Sequence, residues 1–386
     1  MTHSNRTVFF LISAQHFIPT GGIGSFFRGF QRMACELGWS VVCVLDKKPI
    51  GQGRHMMEAH TNVQYVWPEA PQSYRDHGSR FDPETVNQFK VTNFAEALAN
   101  AHSGFTPNLV LINTLEASLA QQQLVQSSAI EHPDRTIFYT HHENFVVPDG
   151  ERSKVFAASY NQTLLDQANT TGLEIATQSQ FNVQRMTQIG FPFVHKPLVL
   201  PMPLPDLELL DPYVGPTDGV LFIGRHEPRK NPKLFAQAVA QTGLPAKVLT
   251  NKRGVAKFEK TFADAGITSF DIRYELTGQT KADFINSARI AFHPAQLESY
   301  GFSAMETLAA GLPTLLIEEF NWWRAFEHHG VHTTSSKRMV AKLQSLYHVK
   351  NLTNSNSWHE IESQTKSNWA APLSRMSAVD ANSAFP

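Results

Sequence analysis

Two carboxylates with seven residues between them, Glu298 and Glu306, bracket Ser299-Tyr300-Gly301-Phe302-Ser303-Ala304-Met305 near the carboxyl end of the chain. The glycine marks a turn, and the pattern after it predicts a helix beginning near Ser303, with Glu306 on its first turn. The opening amides around Gly301, Phe302 and Ser303 would lie at the positive end of the helix dipole, where a phosphate finds fixed donors. Two acceptors for sugar hydroxyls beside amides for phosphate suit a nucleotide sugar. A capped helix start with two surface acids is the other reading of the same residues.

A second group lies earlier, in Gly224-Arg225-His226-Glu227-Pro228-Arg229-Lys230-Asn231-Pro232, directly after the apolar run Val220-Leu221-Phe222-Ile223. Arg225 offers a planar fork of donors and Lys230 a mobile point charge, a pairing that suits a diphosphate whose leaving-group charge must be neutralised. Read alone, the segment is equally a solvated basic loop.

These residues need strands to present them. Val8-Phe9-Phe10-Leu11-Ile12 leads into Gly21-Gly22-Ile23-Gly24, then an amphipathic helix from Ser25 to Leu37 closed by Gly38, then Val41-Val42-Cys43-Val44-Leu45, which is a βαβ opening with a parallel sheet. Further runs at 109–112, 136–139 and 173–176 repeat the theme, each ending in polar residues as strand ends facing a crevice do. A second series follows the prolines at 201, 203, 205, 212 and 216, where a linker is expected, with runs at 220–223, 246–249, 272–274, 290–292 and 314–317. The predicted fold class is α/β, with two doubly wound domains facing each other across a cleft. Residues 1–208 form the first domain, 209–357 the second, and 358–386 a terminal helix and tail.

Composition sets outer bounds. A chain of 386 residues exceeds one ordinary core, and its 27 Phe support large buried cores. A net charge of −1 gives no global attraction to nucleic acid or to an anionic membrane, so any such contact must be local. Cys35 and Cys43 are spaced as buried small hydrophobes of a reducing compartment and form no metal motif. The apolar run near the amino end lacks a basic lead and falls far short of a membrane span, so a soluble, cytoplasmic protein without a membrane anchor is expected.

Taken in order, Gly21-Gly22-Ile23-Gly24, Gly224-Arg225 with Lys230, Glu298-Ser299-Tyr300-Gly301-Phe302 and Glu306 resemble the retaining nucleotide-sugar glycosyltransferases of GT-B fold, over most of the chain. The resemblance implies a hexosyl- or pentosyltransferase with a nucleotide-sugar donor, a UDP-sugar being favoured, and no metal or other cofactor. It implies that Arg225 and Lys230 hold the donor diphosphate, Glu298 contacts the transferred sugar, Glu306 takes the ribose hydroxyls, and amides at Gly301, Phe302 and Ser303 assist the phosphate. Gly21 and Gly22 would let the first loop approach the donor, and the last helix, from Trp358 to about Trp369, would cross back to the first domain. Members of this family carry a histidine at the strand end where this chain has Thr140-His141-His142-Glu143. One of His141 and His142 would bond the sugar or help remove the acceptor proton, since imidazole titrates near neutrality. Adjacent histidines are also ordinary surface residues. Retention is discussed for such enzymes as a front-face reaction in which the departing phosphate takes the acceptor proton.

One departure stands out: Glu318-Glu319-Phe320-Asn321-Trp322-Trp323 replaces the Gly-Gly pair that many relatives carry, which leaves the sugar preference open. The two tryptophans either cover the cleft or anchor the core. For the acceptor, residues 1–150 hold 10 Lys plus Arg against 13 Asp plus Glu and no basic amphipathic helix, which disfavours a lipid. Val44-Leu45-Asp46-Lys47-Lys48 with Arg54 and His55, Leu111-Ile112-Asn113-Thr114 and Tyr139-Thr140-His141-His142 are similar to stretches of the T-even phage DNA α-glucosyltransferases, which act on hydroxymethylated cytosine in duplex DNA. That implies a phage-encoded enzyme of DNA modification, with a flipped base and phosphate contacts from Lys47, Lys48, Arg54, Arg75 and Arg80. A saccharide or small-molecule acceptor, a nucleotide-sugar epimerase of the same fold, and a silent relative that only binds a partner are the alternatives.

Overall fold

A computed structural model describes residues 6–18, 22–60, 62–72, 88–140, 162, 166–167, 172–188, 191, 193, 195–206, 209–210, 217–298, 300–349 and 358–374. The chain divides into two compact units, Met1–Pro205 with Thr365–Pro386, and Asp206–Gln364.

The first unit is built on a parallel sheet in the order β3-β2-β1-β4-β5-β6-β7. Its strands are β1 (Arg6–Ile12), β2 (Trp39–Leu45), β3 (Val63–Val66), β4 (Leu109–Ile112), β5 (Arg135–Tyr139), β6 (Glu174–Thr177) and β7 (Leu198–Val199). Helices cover both faces of such a sheet, so its central strands read as unbroken apolar runs; β1 and β4 are buried at every position but Arg6. The helix Gly22–Glu36 buries Phe26, Phe27, Phe30, Met33 and Ala34 on one face, at helical spacing. It begins at Gly22, three residues before the expected Ser25, so Gly22 and Gly24 belong to its first turn and not to an open loop. Gly24 lies against the chain at Ile18: a Cβ there would stand 1.9 Å from the Ile18 carbonyl oxygen.

The division between the units, after Pro205, falls inside the proline-rich stretch where the linker is expected. The first residues of that stretch pack into the first unit, with Met202 and Leu204 buried and Pro203 so close to Gly29 that a Cβ would meet its carbonyl oxygen at 2.1 Å. The last helix, Trp358–Ser374, places Trp369 in this core. Trp369 donates to Pro201 O at 2.7 Å and meets the rings of Phe26, Phe30 and Tyr139, while Tyr139 donates to Leu200 O at 2.6 Å. Of the two thiols, Cys43 is fully buried and pushed up by desolvation, whereas Cys35 is half-buried.

The second unit has the sheet order β10-β9-β8-β11-β12-β13, again parallel. The strands are β8 (Val220–Ile223), β9 (Ala246–Thr250), β10 (Phe270–Tyr274), β11 (Ile290–His293), β12 (Thr314–Ile317) and β13 (His332–Thr334). Strand order reverses between β8 and β11, so the loops leaving their carboxyl ends part to opposite faces and open a crevice. Those two loops carry Arg225 with Lys230, and Glu298 with Gly301.

Candidate functional site

Because β8 and β11 are hydrogen-bonded neighbours, with Val220 opposite Ile290, residues far apart in sequence leave the sheet side by side. After β8 the chain makes a tight turn: Gly224 N bonds to Leu249 O, Glu227 N to Arg225 O, and a 3-10 turn over Pro228–Lys230 closes on Asn231. Asn231 takes a left-handed conformation (φ 56°) and Pro232 starts the helix Pro232–Thr242 with its fixed φ. Gln296 N donates to Arg229 O at 2.7 Å, tying this turn to the loop after β11. The result is direct contact between two residues assigned separate ligand groups in the sequence: Lys230 Nζ donates to Glu298 Oε1. The pair is mostly enclosed, with side-chain exposures of 14% and 11%. Lys230 is therefore held in place, in contrast to the mobile charge the sequence suggests.

Arg225 remains accessible, 55% exposed, and is braced by Glu227, whose Oε1 lies 3.0 Å from its Nη1 while Oε2 accepts from Arg229 Nε at 3.1 Å. Glu227 is thus a supporting residue that the sequence did not single out.

The helix after β11 spans Phe302–Ala309, one residue earlier than expected, and its cap, Gly301, is left-handed at φ 73°. Glycine, with no Cβ, enters that conformation without strain. A Cβ on Gly301 would also stand 3.0 Å from Phe326 Cζ and 3.1 Å from Trp322 Cζ3. Trp322 is buried under this turn and donates to Ala295 O at 2.6 Å, so it is a core anchor; Trp323 is part-exposed, with its Nε1 on Glu318 O at 3.3 Å. The first backbone bonds of the helix run from Ala304 and Met305 to Gly301 O, so the amides of Phe302 and Ser303 precede them and point out of the helix end. Both residues are part-exposed.

Glu306 falls on the second turn of this helix and is buried, not on the first turn as expected. Its partner is Lys281, from the helix Gly278–Asn286, whose Nζ donates to Glu306 Oε1. His293 closes the site from below: it ends β11, is buried, and has Nε2 3.3 Å from Thr307 Oγ1, which donates to Ala304 O. Burial and then the Lys230 charge bring its pKa down to about 3, so the ring is neutral. Neither Lys281 nor His293 carries a mark in the sequence; only the fold brings them here.

On the first unit, Thr140 is held at the end of β5 by its N–H to Ala176 O at 2.9 Å and by Gln178 Nε2 to its carbonyl at 2.8 Å. His141 and His142, which follow it, lie outside the described residues, as do Gly21, Arg75, Arg80 and Ser299. Gly22 opens its helix, exposed. Among the proposed acceptor cations, Lys47 is half-buried, Lys48 sits 5.5 Å over the Trp67 ring, and Arg54 pairs with Glu58 at 3.2 Å. Asp46, buried at the end of β2, accepts from Ala14 N at 2.7 Å and Ser13 Oγ at 3.2 Å and so shapes the loop after β1. Among the described residues no group of His, Cys, Asp and Glu is arranged to hold a metal ion, and no helix is long and apolar enough to cross a membrane.

Solved structures show the same architecture along nearly the whole chain. Anabaena HepE, in complex with UDP and glucose, superposes with a TM-score of 0.70 at 14% identity, over 96% of this chain and 100% of its own. The fold is GT-B. Sucrose-phosphate synthase of Thermosynechococcus elongatus gives 0.68 at 13% identity, over 96% and 99%. TarM of S. aureus, in complex with fondaparinux, alpha-GlcNAc-glycerol and UDP, gives 0.63 at 10% identity, over 96% and 97%. At these identities the likeness is one of fold. No family model matches the chain, and no curated protein does.

Proposed function

We propose that the protein is a retaining glycosyltransferase that uses a nucleotide-sugar donor, a UDP-sugar first among them, bound at the switch point of the second unit. The observation that carries this reading is the convergence there of Arg225, Lys230, Glu298, Glu306 and the uncommitted amides of Phe302 and Ser303. Fold neighbours solved with UDP support it.

In this reading the diphosphate lies across Arg225 and Lys230 toward the Phe302 and Ser303 amides. The bond from the sugar's anomeric carbon to the phosphate oxygen breaks, and a bond from that carbon to the acceptor oxygen forms on the same face. The acceptor proton passes to the departing phosphate oxygen. Negative charge grows on the leaving group, so preorganised cations and amides there lower the barrier, and positioning does the rest. Glu298 and Glu306 take sugar and ribose hydroxyls. Two fixed cations at the phosphate serve the charge-neutralising role, so the proposal includes no metal or cofactor.

The acceptor is proposed on sequence resemblance: hydroxymethylated cytosine in duplex DNA, with a saccharide as the alternative. Incubation with a panel of nucleotide sugars and with plain or hydroxymethylated DNA, followed by mass spectrometry, tests both donor and acceptor. Arg225→Ala is expected to abolish transfer with unchanged circular dichroism and to cost more than loss of any single acid; full activity would overturn the donor assignment. Conversion of a UDP-sugar to its epimer without any acceptor would replace the reading by epimerisation.

A further inference from the structure

Glu306 is the most enclosed charged group at the site, with 6% of its side chain exposed, and Lys281 accounts for one of its two oxygens. The lysine comes from a different helix, Gly278–Asn286, whose first turn is set by Gly278 in a left-handed conformation (φ 55°). A carboxylate hydrogen-bonded to an ammonium is tied at that oxygen and offers acceptor sites at the other. With Oε1 held by Lys281, the acceptor capacity of Oε2 remains, in an orientation set by the ion pair.

We infer that Lys281 is a positioning residue that makes Glu306 a selective acceptor for the vicinal hydroxyls of the nucleotide's ribose. The inference rests on the donor-site reading above. Two hydroxyl donors on adjacent carbons match an ionised carboxylate, whereas a 2′-deoxyribose supplies one and leaves acceptor capacity unmet in an enclosed place. Lys281 therefore acts through Glu306: it fixes the orientation of the carboxylate, and with it the preference for ribonucleotides over deoxyribonucleotides.

The test measures calorimetric affinities for UDP, ADP and GDP and for their 2′-deoxy forms, in the wild type, Lys281→Met, Lys281→Arg, Glu306→Gln and the Lys281→Met/Glu306→Gln double variant. The wild type is expected to prefer the ribose form by tenfold or more. Lys281→Met is expected to lose most of that preference by weakening the ribose form alone, Lys281→Arg to restore it, and the double variant to discriminate no worse than Glu306→Gln. The double variant leaves no unpaired charge buried, so it also guards against a fold defect in the single one. Equal weakening of both forms by Lys281→Met, or an undiminished preference, overturns the inference while leaving the donor site standing. Absence of binding of every nucleotide to the wild type overturns the donor reading itself.

Discussion

Glu298→Gln is expected to tighten the binding of UDP while it impairs sugar transfer. In the chain without ligand, Lys230 is engaged by Glu298, and both side chains are largely shielded from water. A diphosphate that reaches Lys230 must draw the ammonium away from the carboxylate or bear the repulsion of Glu298 beside it. A hydrogen bond to a charged partner contributes about 1.5–3 kcal/mol net. Replacing the carboxylate by a neutral amide of the same shape removes the charge and keeps a hydrogen-bond acceptor, so roughly half of that competition, about 1.1 kcal/mol, returns to the ligand. That corresponds to an affinity gain of about sixfold. The UDP-sugar regains less, because Glu298 is proposed to contact the sugar, so the ratio of UDP to UDP-sugar affinity should rise. Without ligand the variant should unfold more easily, by about 1–3 kcal/mol, a smaller loss than removal of one buried partner outright. Calorimetric titration with UDP and a transfer assay on the same preparation give both numbers. Unchanged or weaker UDP binding in Glu298→Gln would refute the reasoning, and Lys230→Met should weaken UDP binding in the same experiment.

Gly301→Ala should destabilise the protein by about 2–4 kcal/mol in a denaturant titration, from left-handed strain and overlap with Phe326 and Trp322, and should reduce transfer with it. The buried His293 makes stability depend on pH: its folded pKa of about 3 lies below the ordinary 6.5, so the stability is complete above pH 6.5 and falls as the unfolded state gains a proton below it. From pH 7 to pH 5 the loss from this residue should be about 2 kcal/mol, and His293→Asn should flatten the wild-type profile by that amount. Treatment with EDTA should leave transfer unchanged; inactivation that added Mg²⁺ reverses would show that a metal shares the phosphate with Arg225 and Lys230.

What could be read from the sequence follows from how parallel sheets are covered. The central strands β1, β2, β4, β8, β11 and β12 are buried on both faces, and each is a visible apolar run. The strands the sequence did not reveal, β3, β7 and β13, all lie at sheet edges, where Val63-Gln64-Tyr65-Val66 and His332-Thr333-Thr334 mix polar and apolar residues because one side meets solvent. The prolines at 201, 203 and 205 signalled a linker because composition cannot tell a spacer from extended chain packed against Gly29 and Trp369.

The same division runs through the candidate site. Glu298, Glu306, Arg225 and Lys230 were legible from residue type and spacing, since glycine turns and strand ends are local features governed by a few neighbouring dihedrals. Which of them touch was not. Lys230 meets Glu298 across 68 positions, and Lys281 meets Glu306 across 25. These pairs exist because β8 and β11 are neighbours in the sheet and because the helix Gly278–Asn286 lies where its lysine can reach the helix that follows β11. An ion pair depends on a distance, and over such separations distances are set by strand order and helix packing, which no local run of residues records.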